Sequence, residues 1–141
     1  MHYIARFDPT DDGILVTFPD VAEAITGGHD EAEAMANAVD ALEVVLLTYL
    51  ERGLPLPPGT ERRPASNERA IFPSAATAAK LAFIQAFHES GSTRVGLADR
   101  LGKAEGEVRR MLDPYHATKL PALEAGLRAL GKRLVVSVEA A

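Results

Sequence analysis

The stretch STRVGLADRLGKAEGEVRRML, residues 92–112, decides the fold of the C-terminal half. Two short amphipathic segments flank Gly102 in it. Ala98 supplies the small residue that closely crossing helices require, and Gly102 supplies the positive φ of a sharp turn. Val108 then falls on the inner face of the second segment. This spacing predicts a helix-turn-helix, a motif that most often places its second helix in a DNA major groove.

Four helices are predicted in this half, over residues 75–89, 93–101, 104–112 and 121–130, and the third is the predicted recognition helix. Proline at position 121 suits the first turn of the fourth helix. The candidate DNA contacts are polar side chains in or beside the second and third helices. They are Thr93, Arg94, Lys103, Glu105, Glu107, Arg109, Arg110, His116 and Lys119.

Within this set the two arginines are suited to phosphates or to guanine edges, and His116 and Lys119 to the DNA backbone. The carboxylates of Glu105 and Glu107 are expected to repel phosphates and weaken binding. The alternative reading is that Arg109 and Arg110 form an ordinary solvated helix face.

The chain ends in a β-branched run from Arg133 to Glu139, which predicts a short strand. A lone strand on a helical domain leaves an unpaired edge. Pairing with its copy in a second chain would remove that edge and build a homodimer or a higher even oligomer, which is the favoured interpretation. The alternative is that the strand joins the N-terminal sheet of its own chain.

The N-terminal half begins with two alternating apolar segments around residues 2–7 and 14–18, which predict a β-hairpin with a loop of about six residues. Phe18-Pro19-Asp20 ends the second strand, because proline cannot donate into a central ladder. A short third strand is predicted over 23–26, before Gly27-Gly28 turns the chain.

Asp30 and Glu33 have capping-box spacing at the start of a long helix, which Gly53 and Pro55 end. Apolar side chains repeat along it at helical spacing. They are Met35, Ala38, Val39, Leu42, Val45, Leu46, Tyr49 and Leu50. A proline-rich loop or linker over 54–69 and a last strand over 70–72 follow.

The predicted fold class is therefore α+β, in two domains. Residues 1–72 form a β-β-β-α-β unit with the helix across one sheet face. Residues 73–141 form an all-α helix-turn-helix domain with the C-terminal dimerising strand.

Charge divides the chain in the same way. Residues 1–70 carry five Lys and Arg against thirteen Asp and Glu, a net charge of −8, whereas residues 71–141 carry ten against seven, a net charge of +3. Opposite charges on the two halves suggest two kinds of partner. The chain has no cysteine and no apolar run of bilayer length, so we expect a soluble cytoplasmic protein without a membrane partner.

Catalytic chemistry has little support. Asp8, Asp11, Asp12 and Asp20 would suit Mg²⁺, but three of them fall in the predicted hairpin loop, where aspartate is common. No nucleophile–histidine–acid order, HExxH motif or phosphate loop occurs. We therefore expect no enzyme activity, no metal and no cofactor.

Both halves resemble one family. The run Asp12–Asp20, then Thr26-Gly27-Gly28 and a helix through Asn37-Ala38, looks like the HicB family of antitoxins. The run Leu112-Asp113-Pro114-Tyr115-His116-Ala117-Thr118-Lys119-Leu120, with 129–134, resembles the helix-turn-helix form of that family. The resemblance covers nearly the whole chain and is weakest over 54–69.

The resemblance implies a type II antitoxin with a partial ribonuclease-H-like N-terminal domain. That domain would bind and block a HicA-like toxin, a small basic ribonuclease that cleaves mRNA, and the C-terminal domain would repress the operon at its operator. The implied toxin-binding residues are acidic or belong to the Phe-Pro-Asp element. They are Asp8, Asp11, Asp12, Phe18, Pro19, Asp20 and Glu23.

Two other functions stay open. One is a stand-alone transcriptional regulator whose N-terminal domain senses a small molecule. The other is a metal-dependent nuclease that would use the clustered aspartates.

Overall fold

A computed structural model describes residues 1–141. The elements follow in the order β1 (Tyr3–Thr10), β2 (Gly13–Thr17), β3 (Ile25–Gly28), α1 (Glu31–Glu51), β4 (Glu68–Ile71), α2 (Ala75–Ser90), α3 (Arg94–Leu101), α4 (Glu105–Leu112) and α5 (Leu120–Ala129). The chain forms two compact units, unit 1 (residues 1–78) and unit 2 (residues 79–141). The α+β class is confirmed, with the sheet in unit 1 and helices alone in unit 2. No helix is both long and apolar enough to cross a membrane.

The β1–β2 hairpin is tighter than predicted. Thr10 pairs with Gly13 across a two-residue turn, so the predicted loop of about six residues is wrong. Pro9 is tolerated in β1 because its nitrogen, which carries no hydrogen, faces the β4 side of the sheet. Strand β4 does not extend as far as Pro9, so no ladder hydrogen bond is lost there. The preceding N–H on that side, from Phe7, donates to the Asn67 carbonyl at 2.8 Å. Asp8 is consequently a strand residue opposite Leu15, and not a loop residue.

The sheet is antiparallel throughout, with the order β3-β2-β1-β4. Phe7 pairs with Val16, and Tyr3 with Ile71, so these four buried side chains share one face. Helix α1 covers this face, and its buried positions recur every four residues. They are Ala34, Ala38, Leu42, Leu46 and Leu50.

Strand β3 lies two residues later than predicted and includes both glycines, so the interpretation of Gly27-Gly28 as a turn is wrong. Close packing explains why glycine occupies both positions, 27 and 28. A Cβ on Gly28 would overlap the backbone of Ala34 in α1, and one on Gly27 would come within 2.6 Å of the Ile14 carbonyl oxygen. The Asn37 side chain also donates to the Gly27 carbonyl at 2.7 Å.

The start of α1 is as predicted. Asp30 is the N-cap, and its carboxylate accepts from the Glu33 backbone N–H at 2.8 Å.

The segment between α1 and β4 packs on the sheet more closely than a linker would, and β4 begins inside the predicted 54–69 range. Thr60 is buried beside β1, where its N–H donates to the His2 carbonyl at 2.9 Å and its hydroxyl accepts from the Ile4 N–H at 3.3 Å. Thr60 therefore satisfies backbone groups of β1 that lie beyond the end of β2.

In unit 2, α3 ends at Gly102 with φ 64°, in the left-handed region that the sequence predicted. Ala98 and Val108 are both buried, as expected for the two crossing helices. Phe83 of α2 is fully buried. It fits because Gly126 of α5 has no Cβ, and an added one would overlap the Phe83 ring.

The predicted C-terminal strand over 133–139 is wrong for the single chain, because no residue after α5 is in a strand. The alternative, in which this segment joins the N-terminal sheet, is also wrong, since the sheet contains only β1–β4. An extended segment needs a second strand to complete its hydrogen bonds. Val135, Val136 and Val138 are 76%, 74% and 95% exposed.

Glu68 makes the stability of unit 1 depend on pH. Its nearly buried carboxylate accepts from Arg62 Nη1 at 2.6 Å and Nη2 at 2.8 Å. The bond from Arg62, followed by that from the Ala65 N–H, lowers the pKa of Glu68 from 4.5 to about 2. Because the folded pKa is depressed, the stabilisation is present above about pH 4.5 and is lost as the pH falls towards 2.

We therefore expect the Tm to fall over this pH range, and Glu68→Gln to flatten the fall while lowering the Tm at neutral pH. Thermal unfolding followed by circular dichroism measures both. Glu61→Gln, at an exposed neighbouring position, is the control and should follow the parent. A Glu68→Gln profile that parallels the parent down to pH 2 would contradict this assignment.

Candidate functional site

The outward face of α4 is centred on Gly106, with Arg109 and Arg110 on either side. Val108 and Met111 are buried on the opposite face. At 100° per residue, residue 106 projects almost directly away from those two, and Arg109 and Arg110 project outward on either side of it. The helix therefore presents a glycine flanked by two arginines on the face opposite to its buried side chains.

Glu105 is held by two arginines. Its Oε2 accepts from Arg109 Nη2 at 2.8 Å, and its Oε1 lies 3.3 Å from Arg94 Nε of α3. The hydrogen bond from Arg109 lowers the pKa of Glu105, and the same bond raises the pKa of Arg109. Lys103 Nζ lies 3.6 Å from Glu107 Oε2. The two carboxylates that were expected to repel DNA are thus each paired with a cation on the same surface.

Arg110 differs from Arg109 in this respect. Its exposed side chain makes no hydrogen bond and no ion pair within the chain. The space above Gly106 is open, since a Cβ built there would meet only Arg110 Nη1, at 3.9 Å. Glycine costs about 1 kcal/mol in a helix interior relative to alanine, and packing within the chain does not require it here.

The remaining predicted DNA contacts lie outside α4 in the chain. Thr93 is the N-cap of α3, and its hydroxyl accepts from the Gly96 N–H at 3.0 Å. His116 and Lys119 are exposed in the segment between α4 and α5. The structure brings Arg94, Glu105 and Arg109 into one ion-pair network and leaves Arg110, His116 and Lys119 as exposed donors.

The sequence interpretation missed Lys80, a buried cation in α2. Its Nζ donates to the Met111 carbonyl at 2.7 Å and to the Thr118 hydroxyl at 2.6 Å, and its residue exposure is 5%. Burial lowers the pKa of Lys80 from 10.5 to about 8, while the charge of Asp113 opposes this shift. The available signal was spacing, because Lys80 lies four residues before Ile84 on the inward face.

In unit 1, the implied toxin-binding residues form two separate groups. Asp11 and Asp12 are exposed in the hairpin turn, at one end of β2, with Asp8 nearby in β1. The Phe-Pro-Asp element lies at the other end of β2. The set is therefore not one cluster, although one contiguous segment, 18–23, contains four of its members: Phe18, Pro19, Asp20 and Glu23.

Within that segment, Phe18 is buried at 3% exposure and contributes to the core, so its side chain is not available to a partner in this conformation. Asp20 is exposed, and its Oδ2 accepts from the Thr60 hydroxyl at 2.7 Å. Glu23 Oε1 accepts from the Tyr49 hydroxyl at 2.7 Å, which lowers the pKa of Glu23. The Phe-Pro-Asp element thus has a structural role in joining the end of β2 to the segment before β4.

No three His, Asp or Glu side chains lie close enough together to hold a metal ion. The loop of three aspartates, on which the nuclease hypothesis depended, does not exist, because Asp8 belongs to β1.

Comparison with known proteins decides between the remaining interpretations. The chain is 36% identical over 137 residues to antitoxin HicB of Escherichia coli strain K12, covering 95% of this chain and 96% of that protein. The chain belongs to the HicB family of antitoxins. It is also 33% identical over 141 residues to antitoxin HicB 1 of Photorhabdus laumondii, covering 99% and 88%. To antitoxin HicB of Pseudomonas fluorescens it is 34% identical over 128 residues, covering 91% and 87%.

The resemblance stated from the sequence is therefore confirmed over both halves. No protein-family model matches the chain. HicB antitoxins are not enzymes, which agrees with the lack of a recognisable catalytic motif.

Proposed function

We propose that this HicB antitoxin binds and neutralises a HicA-like, mRNA-cleaving ribonuclease through unit 1, and represses its own operon by binding operator DNA through unit 2. The observation that carries the proposal is that the similarity to antitoxins extends over both units. This extent favours the antitoxin over a stand-alone regulator, because a ligand-sensing first domain would have no reason to match an antitoxin.

Charge supports the toxin half of the proposal. The net charge of −8 over residues 1–70 suits a basic ribonuclease, since long-range attraction raises the rate of encounter. Asp11 and Asp12 project from the hairpin turn without a side-chain partner within the chain. Asp20 and Glu23 hold their carboxylates at a second surface position. These two exposed acidic positions are the contacts that we propose for the toxin.

The geometry of α4 supports the DNA half. Arg110 is the arginine of α4 that is free to contact a base, and the missing side chain at Gly106 lets the groove approach the helix closely. Arg94 and Arg109, which pair with Glu105, are the phosphate contacts that we propose. Lys119 and His116 extend this set towards α5.

The C-terminal segment supports a dimer. Residues 133–139 carry exposed valines and have no strand partner in the chain, so a second copy would supply the missing backbone hydrogen bonds. Two paired chains would present two α4 helices about a two-fold axis, as palindromic operators require.

The first prediction from this proposal concerns the toxin. Asp11→Lys combined with Asp12→Lys should slow association with a HicA-like toxin by about tenfold at low salt, with a smaller difference at high salt. Surface plasmon resonance at two salt concentrations measures the rate. Asp99→Lys combined with Glu139→Lys changes the net charge equally in unit 2 and should have little effect. Equal slowing in both variants would show that net charge matters and the hairpin turn does not.

The second concerns the operator. Arg110→Ala should weaken operator binding by about 1–3 kcal/mol and flatten the preference over a scrambled duplex, because a base contact is lost. Arg109→Ala should weaken both duplexes alike. Arg128→Ala removes the arginine of another Glu–Arg pair at spacing i, i+4, in α5, and is the control. Parent-like discrimination by Arg110→Ala would remove Arg110 from base recognition.

The third concerns assembly. Val136→Pro should convert the dimer to a monomer, because proline removes an N–H from the pairing strand, whereas Val136→Thr should leave the dimer intact. The side chain is 74% exposed, so neither change disturbs the core of a single chain. Sedimentation equilibrium gives the mass. A dimer that survives Val136→Pro would place the interface elsewhere.

A further inference from the structure

Lys80 is the only buried cationic residue of the chain. A buried ammonium is costly unless its protons are bonded. No carboxylate lies within ion-pair distance of Nζ, and its partners are three oxygens of α4 and the following segment. These oxygens are the Arg110 carbonyl at 3.4 Å, the Met111 carbonyl at 2.7 Å and the Thr118 hydroxyl at 2.6 Å.

Lys80 Nζ lies where the last carbonyl groups of α4 lack hydrogen-bond partners within the helix. The last carbonyls of a helix have no partner within the helix, and they lie at the negative end of its dipole. Helix α3 ends in a left-handed glycine, Gly102, whereas α4 ends at Asp113 in an extended conformation. The ammonium of Lys80 takes the place of that glycine cap by bonding the carbonyls directly.

The same ammonium also holds the segment 113–119. Within it, Asp113 Oδ1 accepts from the Tyr115 N–H at 3.0 Å, and the Thr118 N–H donates to the His116 carbonyl at 2.9 Å. The bond between Lys80 and the Thr118 hydroxyl ties this folded segment to α2. One side chain therefore fixes both the backbone that carries Arg110 and the segment that carries His116 and Lys119.

We propose that Lys80 is a positioning residue for operator recognition, which aligns the Arg110 side chain of α4 with the His116 and Lys119 side chains of the following segment. This inference rests on the proposed binding of DNA by unit 2. Contacts displaced by about 1 Å lose much of their effect, so the alignment decides whether Arg110 meets its base while His116 and Lys119 meet the DNA backbone. The effect on DNA is exerted through the backbone, since Lys80 itself is buried.

The test uses the full chain with two duplexes, the intergenic DNA upstream of the gene and a scrambled duplex of the same length. Thr118→Val removes the hydroxyl that Lys80 bonds at nearly constant volume, and Thr118→Ser retains a hydroxyl. Lys80→Met removes the ammonium. We expect Thr118→Val and Lys80→Met to reduce affinity for the intergenic duplex by about tenfold, with a smaller loss on the scrambled duplex, and Thr118→Ser to stay near the parent.

Two further measurements separate positioning from folding. Thermal unfolding establishes that each variant is native at the assay temperature, and toxin neutralisation through unit 1 should be unchanged. If Lys80→Met does not fold, Thr118→Val alone still decides the question. A native Thr118→Val with the parent's affinity and discrimination overturns the role of Lys80. A parent chain that binds neither duplex more tightly than the other overturns the proposed operator recognition by unit 2, and this inference with it.

Discussion

The constraint on which both units depend is that a peptide group removed from water must keep a hydrogen-bond partner. Short elements leave many such groups at their ends, and this chain satisfies them with individual side chains. Thr60 bonds the backbone of β1 beyond the end of β2, Asn37 bonds the carbonyl of Gly27, and Lys80 bonds the last carbonyls of α4. Every buried side-chain nitrogen and oxygen also has a partner. These bonds avoid the cost of leaving buried polar groups without partners.

This constraint connects structure with function, because two of these side chains, Thr60 and Lys80, bond segments that carry candidate binding residues. Thr60 also donates to Asp20 in the Phe-Pro-Asp element, so that element has a structural role beside any contact with a partner. The hydrogen bond between Lys80 and Thr118 likewise gives a structural role to the segment after α4, whose sequence resembles the helix-turn-helix form of the family. A sequence marker of a family is therefore not automatically a set of binding residues, since part of it maintains the backbone.

Charge is organised on two scales. Over the whole chain, an acidic N-terminal half and a basic C-terminal half suit a basic protein and a nucleic acid respectively. Within the α3–α4 surface, Glu105 and Glu107 are paired with neighbouring cations, so their formal charge overstates their repulsion of phosphate. The pairing also distinguishes the two adjacent arginines, because Arg109 already has a carboxylate partner and Arg110 does not. Arg109 and Arg110 are therefore the same residue type in adjacent positions, but only Arg110 has its guanidinium free of an ion pair.

By itself, the sequence determined the elements whose signals are local. The cap at Asp30, the left-handed Gly102 and the spacing of Ala98 and Val108 depend on neighbours within a few residues, and all of them were predicted. Membership of the HicB family was equally readable, because the motifs are continuous in the chain.

Only the tertiary structure decided features that depend on residues far apart in sequence. Gly28 is required by the backbone of α1 and Gly126 by the ring of Phe83, and β1 can contain Pro9 because β4 does not extend that far. The bonds of Lys80 span 30 to 38 positions. No local pattern encodes such distances, and a strand over 133–139 cannot form without a second strand to pair with. Close packing and backbone hydrogen bonding are satisfied only when the whole fold is present, which is why these features could not be read from the sequence.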